Sequence, residues 1–399
     1  MRARPVIGLV LADSTGGIGA HVGSLLRRLP DLGYDVRLVA PAGVVARLTG
    51  DRATPLPSGI SSAVVELPTS PWAGALPARM LRRGQVRSLR EALAGVDLVH
   101  AHGLRAGRAA LTALTRQAGQ AAHTEQPAVE RPARRPPGVP LVVTWHNPPP
   151  AGGPTGLAAG VAARRLARHC DLTLGASADL VELARQAGAP KARLCEIAAP
   201  AAGGPPDPAA TAALRAQLGA GTRPLVVTAG RLSAQKDHAT LVGAAALLSA
   251  RDPAPVIAIA GEGPERAALA ARIAEQHLPV RLLGHRDDVA TLLAAADVAV
   301  LSSRWEARSL FAQEALRTGV PLVVTAVGGL PDLVGDAALI VAPARPQQLA
   351  DAISQILDLP GLRDRLRAAG PRIAAGWPTE SDTAMAVTSG YRELLLLDS

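Results

Sequence analysis

Between Asp297 and Thr325 the chain reads DVAVLSSRWEARSLFAQEALRTGVPLVVT, a stretch that fits best inside a parallel α/β sheet. Val298, Ala299, Val300 and Leu301 form an unbroken apolar run, the pattern of a strand covered on both faces. Ser302-Ser303-Arg304 ends the run and a loop then carries Glu306. Ser309 is placed to cap a short helix holding Leu310, Phe311, Glu314 and Leu316. Gly319 and Pro321 stop that helix before a second buried strand, Leu322-Val323-Val324. In open sheets of this kind, ligands bind beyond the carboxyl ends of strands and near helix N-termini. Glu306 and Glu314 stand at that end.

With 399 residues the chain has room for two full cores. Aromatic side chains make up only 2%, so those cores rest on Leu, Val, Ile and Ala. Cys170 and Cys195 are the only cysteines, which excludes a disulfide-stapled design and fits a reducing cytosol. No apolar stretch is long enough to span a bilayer. The start, MRARPVIGLVLAD, has a short apolar centre interrupted by Asp13 and reads as a first buried strand rather than a secretory signal. Residues 1–200 carry 24 basic and 13 acidic side chains, a net of +11, whereas 201–399 carry 18 and 20, a net of −2. Such asymmetry suggests two domains with different partners. The basic residues are not interleaved with aromatics, so the stacking platform of a nucleic-acid binder is missing.

In the first half, a strand at Pro5–Ala12 leads into Asp13-Ser-Thr-Gly16-Gly17-Ile-Gly19-Ala-His21 and a helix over Val22–Leu29. The glycines let backbone N–H groups approach an anion, or simply make a tight packing turn. A dinucleotide fingerprint is excluded, because the next strand, Val36–Ala40, ends in Pro41 rather than an acid. Pro41–Pro77 is rich in Pro, Gly and Ser, with one strand expected at Ala63–Leu67. Ala78–Leu93 reads as a helix with Arg79, Arg82, Arg83, Arg87 and Arg90 beside Met80, Leu81, Val86, Leu89 and Leu93. It can lie on an anionic membrane or present a solvated arginine face over a core stripe. A strand then ends in His100-Ala101-His102, with His102 nearer its end, and Gln117–Pro140 is a low-complexity loop. The strand from Leu141 ends in Thr144-Trp145-His146-Asn147, and helices follow at Gly156–Cys170 and Ser177–Gly188.

Ala198–Pro208, nearly all Ala, Pro and Gly, is the clearest boundary in the chain. Beyond a helix at Ala209–Leu218, strand Pro224–Ala229 opens into Gly230-Arg231-Leu232-Ser233-Ala234-Gln235-Lys236. Arg231 offers a forked donor and Lys236 a point charge, together suited to a diphosphate. Strand Val256–Ala260 runs into Gly261-Glu262-Gly263-Pro264, and Val327-Gly328-Gly329 supplies another glycine turn. No GxxxxGK[ST] occurs, so a P-loop NTPase is excluded.

Six ordered motifs across nearly the whole chain resemble those of glycosyltransferase family 4, retaining enzymes of the GT-B fold. Gly16-Gly17-Ile18-Gly19-Ala20-His21-Val22 matches Gly-Gly-x-x-x-His-Val, and Asp97-Leu98-Val99-His100-Ala101-His102 matches Asp-x-Val-His-x-His. Thr144-Trp145-His146-Asn147, Gly230-Arg231-Leu232 with Lys236, Gly261-x-Gly263-Pro264, and Glu306-x7-Glu314 complete the set. The resemblance implies two Rossmann-like doubly wound parallel-sheet domains facing across a cleft. One is an acceptor domain over 1–200, joined by a returning helix at about 378–399, and the other a nucleotide-sugar domain over 201–377. It casts Arg231, Lys236, Glu306 and His146 as catalytic residues. Gly16, Gly17, Gly230, Gly261, Gly263, Ser309, Leu310 and Glu314 fall on the donor, and His21 and His102 on the acceptor side. The expected reaction moves a sugar from a nucleoside-diphosphate sugar to a hydroxyl of a glycan, glycolipid or small molecule, with no cofactor and no metal. A nucleotide-sugar 2-epimerase of the same fold, or a non-catalytic nucleotide-sugar-binding protein, are the rival readings. The basic first half suggests an anionic or lipid-linked acceptor at the inner face of the membrane, with the protein itself cytoplasmic. Three departures bear on donor choice: Glu306-Ala307-Arg308-Ser309-Leu310 stands where the family has Glu-Gly-Phe-Gly-Leu, Asp332 where Glu is commoner, and Ala344 where an Asp often follows the last strand.

Overall fold

The computed structural model describes residues 4–12, 16–50, 57–67, 83–121, 138–150, 152–200, 204 and 207–396, with 116–121 described by backbone alone. Asp13-Ser14-Thr15, Arg79 to Arg82, most of the low-complexity run and part of the Ala198–Pro208 boundary lie outside the described residues. The chain divides into two compact units, Met1–Pro200 with Pro378–Ser399, and Ala201–Trp377.

The first unit alternates β1 (Val6–Leu11), α1 (Gly17–Arg28), β2 (Asp35–Ala40), α2 (Ala42–Thr49), β3 (Ile60–Val64), α3 (Arg83–Ala92) and β4 (Leu98–His102). It continues with α4 (Gly103–Ala121), β5 (Leu141–Trp145), α5 (Gly153–His169), β6 (Leu172–Gly175), α6 (Ala178–Gln186) and β7 (Ala192–Leu194). Its strands are all parallel, in the order β3-β2-β1-β4-β5-β6-β7. Order therefore reverses between β1 and β4, and the loops leaving those two strands diverge into a crevice.

The second unit runs α7 (Pro208–Gln217), β8 (Leu225–Ala229), α8 (His238–Leu248), β9 (Val256–Ala260), α9 (Arg266–Glu275), β10 (Val280–Gly284) and α10 (Val289–Ala295). It goes on through β11 (Val298–Leu301), α11 (Leu310–Arg317), β12 (Leu322–Thr325), α12 (Leu330–Val334), β13 (Ala338–Val341), α13 (Pro346–Asp358) and α14 (Pro360–Ala374). This sheet, β10-β9-β8-β11-β12-β13, is also parallel and reverses between β8 and β11. Successive strand residues point to opposite faces, so Leu225 and Val227 join one core with Leu292, Phe311 and Leu316. Val226, Ile257 and Val300 join another with Leu241, Leu349 and Ile353. Both faces of the sheet are thus covered, which is why its strands carry apolar runs.

The last helix, α15 (Glu380–Leu395), belongs to the first unit, where Ala384, Val387 and Tyr391 complete the core around Ile7, Leu9 and Leu38. Thr379 and Asp382 form a capping box at its start. Glu380 receives Arg27 at 3.2 Å and Arg28 at 3.0 Å from α1.

Several elements differ from the sequence reading. Helix α1 starts at Gly17, five residues before Val22, because Gly16 at φ +73° turns the chain sharply into it. Helix α2 lies inside the stretch read as irregular, its Ala42 N–H capped by the Glu66 carboxylate at 3.0 Å. Strand β3 sits three residues earlier than Ala63–Leu67. In α3, Val86 and Leu89 are buried and Arg87 pairs with Glu91 at 2.8 Å. The described part of that helix thus presents an arginine face over a core stripe.

Candidate functional site

In the second unit, β8 and β11 are neighbours, so the loops that leave them emerge side by side. This brings Lys236 to Glu306 across 70 residues, with Nζ 2.5 Å from Oε1. The Glu306 side chain is 7% exposed and that of Lys236 20%. Ser303, fully buried, donates its hydroxyl to the same carboxylate oxygen at 2.7 Å. The loop is tied down by backbone as well: Gly329 N–H reaches the Glu306 carbonyl at 2.9 Å, and Arg304 N–H the Gln235 carbonyl at 2.8 Å. Buried Asp237 accepts the Thr240 hydroxyl at 2.8 Å and faces Arg304 at 3.1 Å. Beside Lys236, His238 is held neutral, its pKa lowered to about 4 by burial and then by the lysine charge.

Arg231 is exposed, and its guanidinium is in no ion pair among the described residues. Ser309 caps α11, accepting the Ala312 N–H at 3.4 Å, and Leu310 opens the helix half-buried. Glu314 lies about one turn farther along that helix, half-buried, its pKa raised by burial against the opposing pull of Arg317. Two candidate glycines turn out to serve backbone contact. A Cβ on Gly261, at φ +141°, would stand 1.9 Å from the Gly230 carbonyl oxygen, and one on Gly263 2.3 Å from that of Leu232. Gly230 in turn lies under the Lys236 stem, where a Cβ would stand 3.3 Å from Cε. These glycines hold the Arg231–Lys236 loop down on its neighbour and so set where the two cations project. Arg308 turns toward Trp377, its Cζ 5.5 Å from the ring centroid, with Arg317 at 5.9 Å on the same ring.

In the first unit, the ends of β4 and β5 and the start of α1 gather three histidines. His102 Nδ1 lies 3.3 Å from His146 Nε2. The His21 ring sits edge-on to both, with centroids 5.3 Å from His102 and 5.6 Å from His146. Burial keeps the cluster neutral: the His21 pKa falls to about 4 against the opposing pull of Glu380, and those of His102 and His146, lowered further by neighbouring histidines, lie well below the ordinary value. Burial dominates in each case. Nε2 of His21 and Nε2 of His102 are buried without a hydrogen-bond partner among the described residues. His100 lies on the same face of β4, its ring 4.2 Å from that of His102, and is held by the Tyr391 hydroxyl at 2.6 Å and the Thr144 hydroxyl at 2.7 Å. It is a structural histidine that ties α15 to the sheet. Gly16 and Gly17 stand at the start of α1, where space for a Cβ at Gly16 is open. Among the described residues no group of three or more His, Cys, Asp or Glu side chains is arranged to hold a metal ion.

Sequence motifs exposed Arg231, Lys236, Glu306 and the three histidines. Ser303 and Asp237 carried no signal of their own. A serine at the end of a buried strand is the only hint of the first; the second is marked only in the structure, by its left-handed backbone (φ +46°) before α8.

Comparison with known proteins fits both halves. Residues 16–200 match the glycosyl transferase 4-like domain and residues 211–372 the glycosyl transferases group 1 family. The chain belongs to the GT-B glycosyltransferases of the family 4 kind. It is 30% identical over 190 residues to the alpha-D-kanosaminyltransferase of Streptomyces kanamyceticus, covering 46% of this chain and 49% of that one. With the D-inositol 3-phosphate glycosyltransferase of Streptomyces griseus it shares 35% over 211 residues, 48% of this chain and 43% of the relative. The matches thus span less than half the length of these curated relatives. Among solved structures, the Anabaena protein HepE in complex with UDP and glucose superposes with a TM-score of 0.75 at 20% identity, over 97% of this chain and 99% of that one. The likeness at this identity shows the GT-B fold.

Proposed function

We propose that the chain is a retaining, metal-independent glycosyltransferase that moves a sugar from a nucleoside-diphosphate sugar to an acceptor hydroxyl. The observation that carries this reading is the Lys236–Glu306–Ser303 constellation at the point where the second sheet reverses. There a cation and a carboxylate sit on adjacent loops, with the exposed fork of Arg231 close by in sequence. Arg231 and Lys236 stabilise negative charge as the bond from the anomeric carbon to the diphosphate breaks. Glu306, pre-positioned by its two partners, accepts hydrogen bonds from hydroxyls of the transferred sugar. Glu314 accepts those of the ribose, and the backbone at Ser309 and Leu310 offers N–H donors at the head of α11. A bond forms from the acceptor oxygen to the anomeric carbon, and the acceptor proton leaves with the departing phosphate. No nucleophile from the protein is needed. In the first unit, the N–H groups at Gly16 and Gly17 suit a phosphate, and the two unpartnered imidazole nitrogens of His21 and His102, beside His146, suit hydroxyls. HepE, solved with UDP and glucose, makes UDP-sugars the first donors to try, alongside their GDP counterparts.

The test is a thermal-shift panel of nucleoside diphosphates and their sugars, followed by identification of the product anomer. A ligand at 100 times its Kd adds about 2.7 kcal/mol of stability, a readily seen shift. The shift should appear with one base, vanish in Arg231→Ala and Glu314→Ala, and be followed by transfer that chelators leave intact. Binding without transfer to any acceptor or water would favour a non-catalytic binder instead.

A further inference from the structure

The charge of the first unit has a focus that the motifs do not explain. Helix α5 packs between α4 and α6 and buries Ala159, Ala163, Leu166 and Ala167. On its outer face Leu157 is 72% exposed and Val161 52%. At 3.6 residues per turn, Leu157, Val161, Arg164 and Arg168 stand at i, i+4, i+7 and i+11, a single stripe that Arg165 flanks. A solvated helix carries polar side chains in such a stripe. This one instead exposes large apolar groups in its first half and three guanidinium groups in its second. The helix holds no acidic residue, and among the described residues no carboxylate pairs with Arg164, Arg165 or Arg168. On neighbouring α6 the exposed Glu182 is already accompanied by Arg185 at 3.9 Å. Arg108 of α4 lies near enough to Arg165 to feel its charge. Arg164, Arg165 and Arg168, gathered without a carboxylate partner among the described residues, call for an anionic partner surface.

We propose that this face of α5 rests on an anionic lipid surface, with Leu157 and Val161 entering the head-group layer and Arg164, Arg165 and Arg168 contacting lipid phosphates. Two aliphatic side chains without an aromatic anchor are too small a core for a stable protein interface, which needs about 800 Å² from each partner. Paired with three arginines along one stripe, they suit a bilayer surface, where apolar insertion and phosphate contact act together. The segment 147–152 joins α5 directly to His146 at the end of β5, so a lipid surface held there lies one short loop from the histidine cluster. The inference goes beyond the transferase reading and does not depend on it, since its readout is lipid binding in the absence of nucleotide.

Flotation of the full chain with vesicles tests it. Phosphatidylcholine vesicles containing phosphatidylglycerol should carry the protein at low salt and release it at high salt, and pure phosphatidylcholine should not carry it. Each arginine near such a surface is worth about fivefold in partitioning, so Arg164→Glu with Arg168→Glu should weaken binding by at least about twentyfold. Leu157→Ser with Val161→Ser should weaken it too, whereas Arg83→Glu on α3 should not. Since all these side chains are exposed, an unchanged unfolding midpoint will show that the variants fold. Leu157→Cys labelled with an environment-sensitive dye, the native cysteines being buried, should shift to the blue on anionic vesicles. No flotation at low salt would overturn the proposal, as would equal flotation of the wild type and the α5 variants, or an unshifted dye. Any of these outcomes would turn the search toward a protein partner for α5.

Discussion

The Lys236–Glu306 pair sets what single substitutions in the second unit will do. Removing the lysine leaves a carboxylate only 7% exposed with a serine hydroxyl as its remaining partner. Fully buried pairs lose 3–5 kcal/mol when broken, and the partial exposure of Lys236 lowers the expectation for Lys236→Ala to roughly 2 kcal/mol. Glu306→Gln keeps the shape and the Ser303 contact and should cost about half of that. Urea unfolding of the two variants and of their combination gives the coupling directly; additive losses would mean that the pair contributes nothing as a pair. Both positions were visible in the sequence as motif members. Their contact was not, because it needs β8 and β11 to be neighbours, a consequence of strand order that no local pattern records. Glycines show the converse. Gly16 and Gly261 look alike in sequence, yet Gly261→Ala must displace a carbonyl 1.9 Å from the new Cβ, while Gly16→Ala meets only open space. The second should lose about 1–3 kcal/mol through backbone strain alone. The first should lose more and disorder the Arg231–Lys236 loop, seen as faster amide exchange over residues 230–236.

Elements were legible where the apolar period was long and the ends were marked by local chemistry. All the core strands of both sheets, α11 with its Ser309 cap and α15 after Thr379 have such marks. Helix α2 does not. Its cap comes from Glu66, 24 residues away, and only Val44 and Val45 are buried, so a Pro-rich stretch hid a helix. The exposed apolar stripe escaped the sequence reading for a related reason. Arginines spaced along α3 sit over a buried stripe, whereas the exposed apolar stripe lies on α5, and composition cannot tell an outward leucine from an inward one. Helix α15 is the element on which the first unit most depends, since Ala384, Val387 and Tyr391 fill its core and Tyr391 holds His100. Tyr391→Phe keeps the ring but leaves His100 Nδ1 buried and unpaired, at a cost of about 1–3 kcal/mol. Thr379→Ala, losing the cap alone, should cost about 1 kcal/mol. Differential calorimetry should therefore rank Tyr391→Phe at or below Thr379→Ala; the reverse order would mean that the hydroxyl contact with His100 carries no stability.

Across the whole molecule, buried histidines are distributed unequally, and this sets how acid acts on it. The first unit holds His21, His100, His102 and His146 neutral, whereas the second holds only His238. The pKa of His100 falls to about 3 and that of His21 to about 4, burial being the main cause in each. The ordinary value is 6.5, so below it the unfolded chain takes up protons that the folded chain refuses. Stability from these groups is complete above 6.5 and is lost as the pH falls from there toward the folded values. At pH 5 the loss is roughly 2 kcal/mol for each of His21 and His100, and His102 and His146 act in the same direction. That is a large share of the stability of a domain. Glu380 adds in the same direction, because its pKa is lowered with the help of Ser24, Arg28 and Arg27 and the stability it lends fades as it protonates. In the second unit one histidine is lost, while Glu314, with its raised pKa, gains from acid. Acid should therefore open the first unit while the second still holds. Hydrogen exchange followed peptide by peptide at about pH 7.5 and about pH 5, corrected for intrinsic rates, reads the two units separately. Protection should collapse over residues 6–40, 98–102 and 141–145 and persist over 225–229, 256–260 and 298–301. His21→Gln should recover roughly 2 kcal/mol of the lost protection energy, since it removes one of the titrating groups. Equal loss in both units would mean that the buried imidazoles are already protonated in the folded chain, and the neutral cluster at the ends of β4 and β5 would have to be given up.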